Sequence, residues 1–252
     1  MTGYFQWLVM TRRSGFIAAA ALLVVMTLAA YIPAMHGGLI WDDDAYLTRD
    51  TRMESLGGLG RIWTDVVGEH YRHQYYPLTS SAFWVQHQLW GQRTFGYHLV
   101  NVLLHAANAV LLWRLLRTLR IPGAWVAAAI FAVHPVHVQS VAWITELKNV
   151  LSTLFFLSSA LAFVRFFAPY GTEPPTVLRP VGRPGQWTAY GVGLVLFVCA
   201  LLSKTATCSL PLALLLVLWW KRDRLGWRDL LPLVPLAVIA AALVSMTVYL
   251  ES

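Results

Sequence analysis

Charge is what this sequence has least of. Of its 252 residues 12% are Asp, Glu, Lys or Arg and 58% are apolar, whereas a soluble domain carries about 25% charged residues. So few charges could not keep a solvent-facing surface of this size dispersed, which excludes a soluble globule and leaves lipid as the natural solvent. Cysteine is nearly absent as well. Cys199 and Cys208 lie near the ends of adjacent apolar runs, and two buried free thiols are expected there rather than a disulfide, since sequence does not set their separation. No basic run is interleaved with aromatics, so the net charge of +7 does not point to nucleic acid. No internal repeat is present. No small-residue cleavage pattern follows the first apolar run before the acidic cluster, so that run reads as a retained anchor and not a signal peptide.

What is present is a series of uncharged apolar runs long enough to cross roughly 30 Å of hydrocarbon. Seven are expected as helices, over residues 15–35, 95–113, 124–144, 149–168, 186–203, 205–220 and 230–250. The fourth carries Arg165 near one end, where the side chain can snorkel to the interface, and the sixth is short. The fold expected is an all-α polytopic membrane protein of about seven transmembrane helices, one module over 1–252. Twelve of the nineteen Lys and Arg fall on one side of these spans, in short segments with Arg12, Arg114, Arg179 and Lys221 among them. The positive-inside rule then makes the N-terminus cytoplasmic. Seven of the twelve acids lie in the segment 36–94 on the opposite, extracytoplasmic side. The excess of positive charge is therefore a signal of topology.

Segment 36–94 is long, and long ordered loops tend to be functional. Leu59, Ile62, Trp63, Val66 and Val67 recur in it at helical spacing, and a second helical stretch opens at Pro77. Both are expected as helices lying in the membrane interface, where Trp is favoured; a small folded cap touching no lipid is the alternative. The Pro- and Gly-rich stretch 169–185 reads as a cytoplasmic linker.

Chemistry concentrates at the outer ends of the spans. Asp42, Asp43 and Asp44 follow Trp41 just beyond the first run. Three consecutive carboxylates at a membrane surface repel one another, a setting that suits a general base or a divalent-metal site; an acidic turn with one Asp capping a helix would look the same. The second span carries His98, Asn101, His105 and Asn108 within roughly an 80° arc of one helix face. Lipid would not tolerate that stripe, so it faces the bundle interior. Interhelical hydrogen bonding accounts for the inner three, and His98, nearest the outer face, is the member expected to line a site. His134 and His137 end the third span around Pro135, which kinks the helix and frees backbone carbonyls, and could share a metal, but no Glu adjoins them at metalloprotease spacing, so no metal ligand set is assigned. Glu146 and Lys148 follow just outside. Lys204, between the fifth and sixth spans, and the pair Arg72 and His73 are candidate phosphate ligands. An anionic, lipid-linked substrate taken from the membrane fits this set, for an enzyme or for a carrier.

The order of these pieces resembles a known family. Trp41-Asp42-Asp43, Tyr75-Tyr76-Pro77-Leu78-Thr79, Phe95-Gly96-Tyr97-His98-Leu99-Val100-Asn101, His134-Pro135-Val136-His137-Val138, the stretch 143–152 and Ser203-Lys204-Thr205 look like the bacterial relatives of the transmembrane, tetratricopeptide-repeat-containing O-mannosyltransferases. Those belong to the GT-C group of polytopic glycosyltransferases, and the likeness runs from about residue 15 to 250. It implies a transferase of the bacterial inner membrane that moves a mannose-like sugar from a polyprenyl-phosphate donor to a hydroxyl acceptor, a protein Ser or Thr or a glycan, with inversion at the extracytoplasmic face. An acid in the first outer loop serves as base in that group, which maps onto Asp42 with Asp43 as neighbour. Arg72, Lys148 and Lys204 would stabilise the departing phosphate, and His98, His134, His137 and Glu146 would shape the sugar or acceptor pocket. Gln139 and Leu147 stand where relatives often carry an acid and an Arg. The family's further spans and repeat domain do not appear within the 252 residues. A non-catalytic carrier or flippase of lipid-linked sugars, or a scaffold, is the alternative reading.

Overall fold

Proline and glycine divide a chain that otherwise runs from helix to helix. The computed structural model describes residues 2–65, 75–167, 184–222 and 224–251, and among them there is no strand. Helix α1 (Thr2–Tyr31) supplies the first apolar run and gives way to a 3₁₀ turn at Pro33–His36. Three helices follow in the long loop: α2 (Asp43–Leu47), α3 (Leu56–Thr64) and α4 (Pro77–Trp90). Ser55 Oγ caps α3 by accepting from Gly58 N–H at 3.1 Å, and Pro77 occupies the first turn of α4, where its missing N–H costs nothing. The α3 residues Leu59, Ile62 and Trp63 are helical as expected, while Val66 and Val67 lie outside the described residues.

The spans then alternate in direction. Helix α5 (Thr94–Thr118) leads away from the loop, and α6 (Ala124–Val133) returns. Here the span expected over 124–144 is sharply bent at its proline. Pro135 cannot continue an α-helix, and the chain breaks at His134, turns through a 3₁₀ segment Pro135–His137 and resumes as the short α7 (Val138–Ala142), bent by 50° from α6. Helix α8 (Leu147–Phe167) begins two residues earlier than expected and α9 (Pro184–Ser203) likewise. Of the linker 169–185, residues 169–183 lie outside the described residues. The sixth run is a 3₁₀ turn, Thr205–Ser209, feeding a helix of twelve residues, α10 (Leu210–Lys221). A short α11 (Trp227–Leu230) precedes α12 (Val234–Glu251).

Among the described residues five helices are long and apolar enough to cross a membrane, or six with the bent pair counted as one span; residues 205–221 form a shorter apolar helix. The chain is an all-α, multi-pass membrane protein. Three apolar cores hold it together. Leu23, Trp113 and Ala128 join α1, α5 and α6, and Phe163, Phe197, Leu214 and Leu236 join α8, α9, α10 and α12. The third core unites the loop with the bundle: Met53, Ile62 and Phe83 from the loop segment pack with Tyr97, Ile144, Leu147 and Val150 from the spans. The loop is thus a cap seated on one end of the bundle. Trp84 Nε1 and Gln88 Nε2 of α4 donate to Ser55 O (2.9 Å) and Met53 O (2.6 Å), and the buried pair Asp50 and Arg52 closes the turn before α3. Trp63 and Leu89 remain exposed on its outside.

The polar stripe of α5 ties this end together. Asn101 Nδ2 donates to Trp143 O at 3.0 Å, His105 Nε2 to Ala132 O at 3.2 Å and Asn108 Nδ2 to Val150 O at 2.8 Å. The three carbonyls lie at the end of α6, just after α7 and in the first turn of α8. The stripe therefore fixes irregular backbone inside the bundle, the only place where such backbone is tolerated at membrane depth.

Candidate functional site

The three consecutive carboxylates have three different environments. Asp43 is fully buried, at 0% exposure. Its Oδ1 accepts the backbone N–H of Thr145 at 3.0 Å and its Oδ2 the backbone N–H of Ile40 at 3.0 Å, so both oxygens are engaged by amides from segments 102 and 3 residues away. Asp44 is ion-paired with Arg49 at 2.5 Å. Asp42 is exposed. Its Oδ1 accepts the Thr145 hydroxyl at 3.1 Å, and its other oxygen makes no hydrogen bond among the described residues. Only this carboxylate has an open oxygen without a cationic partner, and a general base needs such an oxygen.

The backbone is held unusually to achieve this. Trp41 has φ +50°, a conformation that costs a bulky residue about 1–3 kcal/mol and persists only where its surroundings impose it. Its ring, 77% exposed, meets the Trp143 ring edge-on with centroids 4.7 Å apart. Trp143 and Thr145 belong to the turn after the broken span, the same turn that Asn101 holds by its carbonyls.

Opposite the carboxylates lies a cationic group. Glu146, beside Thr145, pairs with Lys148 at 3.2 Å and accepts a hydrogen bond from Asn149 Nδ2; Lys204 Nζ donates to Asn149 Oδ1. Lys148 thus pairs with Glu146 directly, and Lys204 reaches the same carboxylate only through Asn149. Burial pushes the Lys204 pKa below the ordinary lysine value; Glu146 opposes that shift and Lys148 adds to it. Tyr46 of α2 joins the two halves: its hydroxyl pKa is raised first by burial, then by Asp42, Tyr76 and Glu146, against a lowering by Arg52. The Lys204 turn is itself anchored, because Thr79 Oγ1 of α4 donates to Ser203 O at 3.0 Å and Thr205 Oγ1 lies 3.2 Å from Thr247 Oγ1 of α12.

Lys204 and Asn149 also face a cavity of about 460 Å³, whose polar wall includes Ser140 and Thr207 and whose apolar wall includes Leu112, Phe131, Phe156 and Leu157. A cation at the mouth of an apolar cleft can hold an anionic group that carries a hydrocarbon chain. Lys204 and Asn149 thus join this cleft to the turn whose Thr145 bonds Asp42 and whose Glu146 pairs with Lys148.

The residues singled out from sequence separate accordingly. Asp42, Asp43, Glu146, Lys148 and Lys204 come together. His137 is half-buried, with its ring against Phe131 (4.4 Å between centroids) and His105 (5.3 Å), and borders a smaller pocket with Ser140 and Asn149. His134 is exposed and its Nδ1 accepts Val136 N–H at 3.2 Å, which caps the 3₁₀ turn. His98 does not line the cavity. It is 3% exposed, and its Nε2 donates to Gly37 O at 3.1 Å. The loop folds back over it because Gly37 has no side chain; a Cβ there would sit 3.2 Å from that nitrogen. Arg72 and His73 lie outside the described residues. Both cysteines are free thiols. Among the described residues no group of three or more His, Cys, Asp or Glu is placed to hold a metal ion. Thr145, Asn149 and Tyr46 were not evident as site residues; the polar run Thr145-Glu146-x-Lys148-Asn149 at the mouth of an apolar span was the available signal.

Comparison with known proteins points in one direction. The chain is similar to a protein O-mannosyl-transferase of Caenorhabditis elegans, 27% identical over 164 residues that cover 61% of this chain and 24% of the relative. Against protein O-mannosyl-transferase TMTC2 of Mus musculus it is 32% identical over 157 residues, 59% of this chain and 19% of the relative. With the Xenopus laevis counterpart it shares 35% over 113 residues, 44% and 14% of the two chains. The matched region spans about a fifth to a quarter of the first two relatives' length. No family model matches the chain, and no solved structure does.

Proposed function

We propose that this chain, a relative of the TMTC protein O-mannosyl-transferases, is the membrane module of a glycosyltransferase that moves a mannose-like sugar from a polyprenyl-phosphate donor to a Ser or Thr hydroxyl. The observation that carries the reading is that one open carboxylate, Asp42, is bonded to Thr145 beside the Glu146–Lys148 pair, while Lys204, bonded to Asn149 of the same stretch, lines a cavity with an apolar wall. The relatives' names add the reaction class.

In this mechanism the open oxygen of Asp42 takes the proton of the acceptor hydroxyl as its oxygen attacks the anomeric carbon. The bond from that carbon to the phosphate oxygen breaks on the opposite face, so the configuration inverts. Lys148 and Lys204 stabilise the phosphate as its charge grows, which lowers the barrier more than it strengthens donor binding. The prenyl chain lies along Phe131, Phe156 and Leu157. Asp43, with both oxygens bonded to backbone amides, acts as the anchor that sets the loop. Glu146 keeps the two lysines close in the absence of donor, His134 and His137 border the acceptor side, and Arg72 and His73 add to the phosphate ligands. The site opens on the extracytoplasmic side of a bacterial inner membrane, a placement supported by the twelve basic residues at the other ends of the spans.

The test is direct. The full chain, reconstituted in lipid with radiolabelled polyprenyl-phosphate mannose and a Ser/Thr peptide, is expected to yield labelled peptide in proportion to time and protein. A parallel reaction with chelator reports whether a divalent ion contributes. Absence of transfer by this chain and by longer chains containing it would exclude the proposal.

A further inference from the structure

Thr145 makes both bonds that define the acidic site, and neither composition nor spacing marks it. Its backbone N–H donates to Asp43 Oδ1 and its hydroxyl to Asp42 Oδ1. The residue is 2% exposed and sits in the 3₁₀ turn Ile144–Glu146, whose two preceding carbonyls are held by Asn101 Nδ2 at 3.0 and 3.4 Å. A side chain so fixed cannot follow Asp42 if the loop moves; it holds Asp42 in place instead. We infer that Thr145 is a positioning residue, which turns the Asp42 carboxylate so that one oxygen is tied to the turn and the other is presented to the acceptor hydroxyl. The inference rests on the reading of Asp42 as the base.

The chemistry separates this role from simple packing. Removing the hydroxyl alone deletes the one hydrogen bond that Asp42 Oδ1 makes to the turn and frees the carboxylate to rotate, while the N–H bond to Asp43 is kept. The charged and titratable groups around it are Asp43, Asp44 and Tyr46 of its own helix, Arg49 paired with Asp44, Arg52 and Tyr76 near Tyr46, His98 beside Asp43, and Glu146 with Lys148 and Lys204 from the facing turns. None of these is altered by a change confined to the Thr145 hydroxyl.

The test compares Thr145→Val, which keeps the shape and the N–H bond to Asp43, with Thr145→Ser, which keeps both bonds. In the full chain Thr145→Val is expected to lower kcat about tenfold at neutral pH with the donor KM within about twofold. Thr145→Ser is expected to restore kcat. A wild-type rate in Thr145→Val would overturn the assignment, as would equal impairment of the two variants, which would mean packing alone. A second readout needs no substrate: the infrared carboxylate stretching band of Asp42, isolated as the difference between a protein and its Asp42→Asn counterpart, should move in Thr145→Val as the hydrogen bond is lost, and return in Thr145→Ser. An unmoved band overturns the role of Thr145 even if transfer is intact. A moved band in a protein that transfers no sugar would sustain it while the functional reading fails.

Discussion

Asp43→Asn should loosen the loop while changing the shape of its side chain hardly at all. In the native structure each oxygen of this buried carboxylate accepts one backbone N–H, from Ile40 and from Thr145, both at 3.0 Å. An Asn has one acceptor oxygen, so its amide nitrogen must face one of the two N–H donors. One charge-assisted hydrogen bond is lost, worth about 1.5–3 kcal/mol, the surviving bond becomes neutral, and an amide N–H is left buried without a partner. A total near 3 kcal/mol follows, which makes opening of the loop about a hundredfold more frequent. Hydrogen exchange in lipid nanodiscs reads this at the Ile40 and Thr145 amides, where protection should fall by that factor. Asp42→Asn, at the exposed neighbour whose single bond an amide oxygen can still accept, should leave the same amides protected. Equal protection in wild type and Asp43→Asn would refute the reasoning, because it would mean that the buried carboxylate does not anchor the loop.

Two further outcomes follow from the same geometry. Lys204 can hold a phosphate only while protonated, and burial lowers its pKa; donor affinity should therefore fall with rising pH earlier than for an ordinary lysine, whereas Lys204→Arg should keep affinity flat through that range and Lys204→Gln should raise the donor KM about tenfold or more at neutral pH. Asn101→Leu removes the donor from the carbonyls of Trp143 and Ile144 and should cost about 1–3 kcal/mol, read as a Tm lower by several degrees in detergent, with transfer reduced as the turn carrying Thr145 shifts.

The membrane-spanning organisation was readable because lipid imposes it on composition: an uncharged run of some twenty residues has few other uses. Pro135 likewise signalled the kink in the third span, which is sharp enough to break the helix there. The candidate site was legible in its ingredients and not in its division of labour. Asp42, Asp43 and Asp44 are equivalent letters at consecutive positions; what distinguishes them is a turn 102 residues away and Arg49 nearby. His98 looked outward as the outermost member of a polar stripe, yet a glycine lets the loop close over it. Thr145 was marked only as one member of a polar run at the start of a span, since its importance lies in two bonds made across the fold. Lys204 was visible as a cation between spans, whereas its partner Asn149, 55 positions earlier, was not.

The central claim is that Asp42 is the base of a sugar transfer. The measurement closest to it is single-turnover transfer from polyprenyl-phosphate mannose by Asp42→Asn in lipid, alongside donor binding and amide protection in the same variant. Loss of at least about a thousandfold in transfer, with binding and protection kept, is the predicted result. Transfer at the wild-type rate would contradict the account.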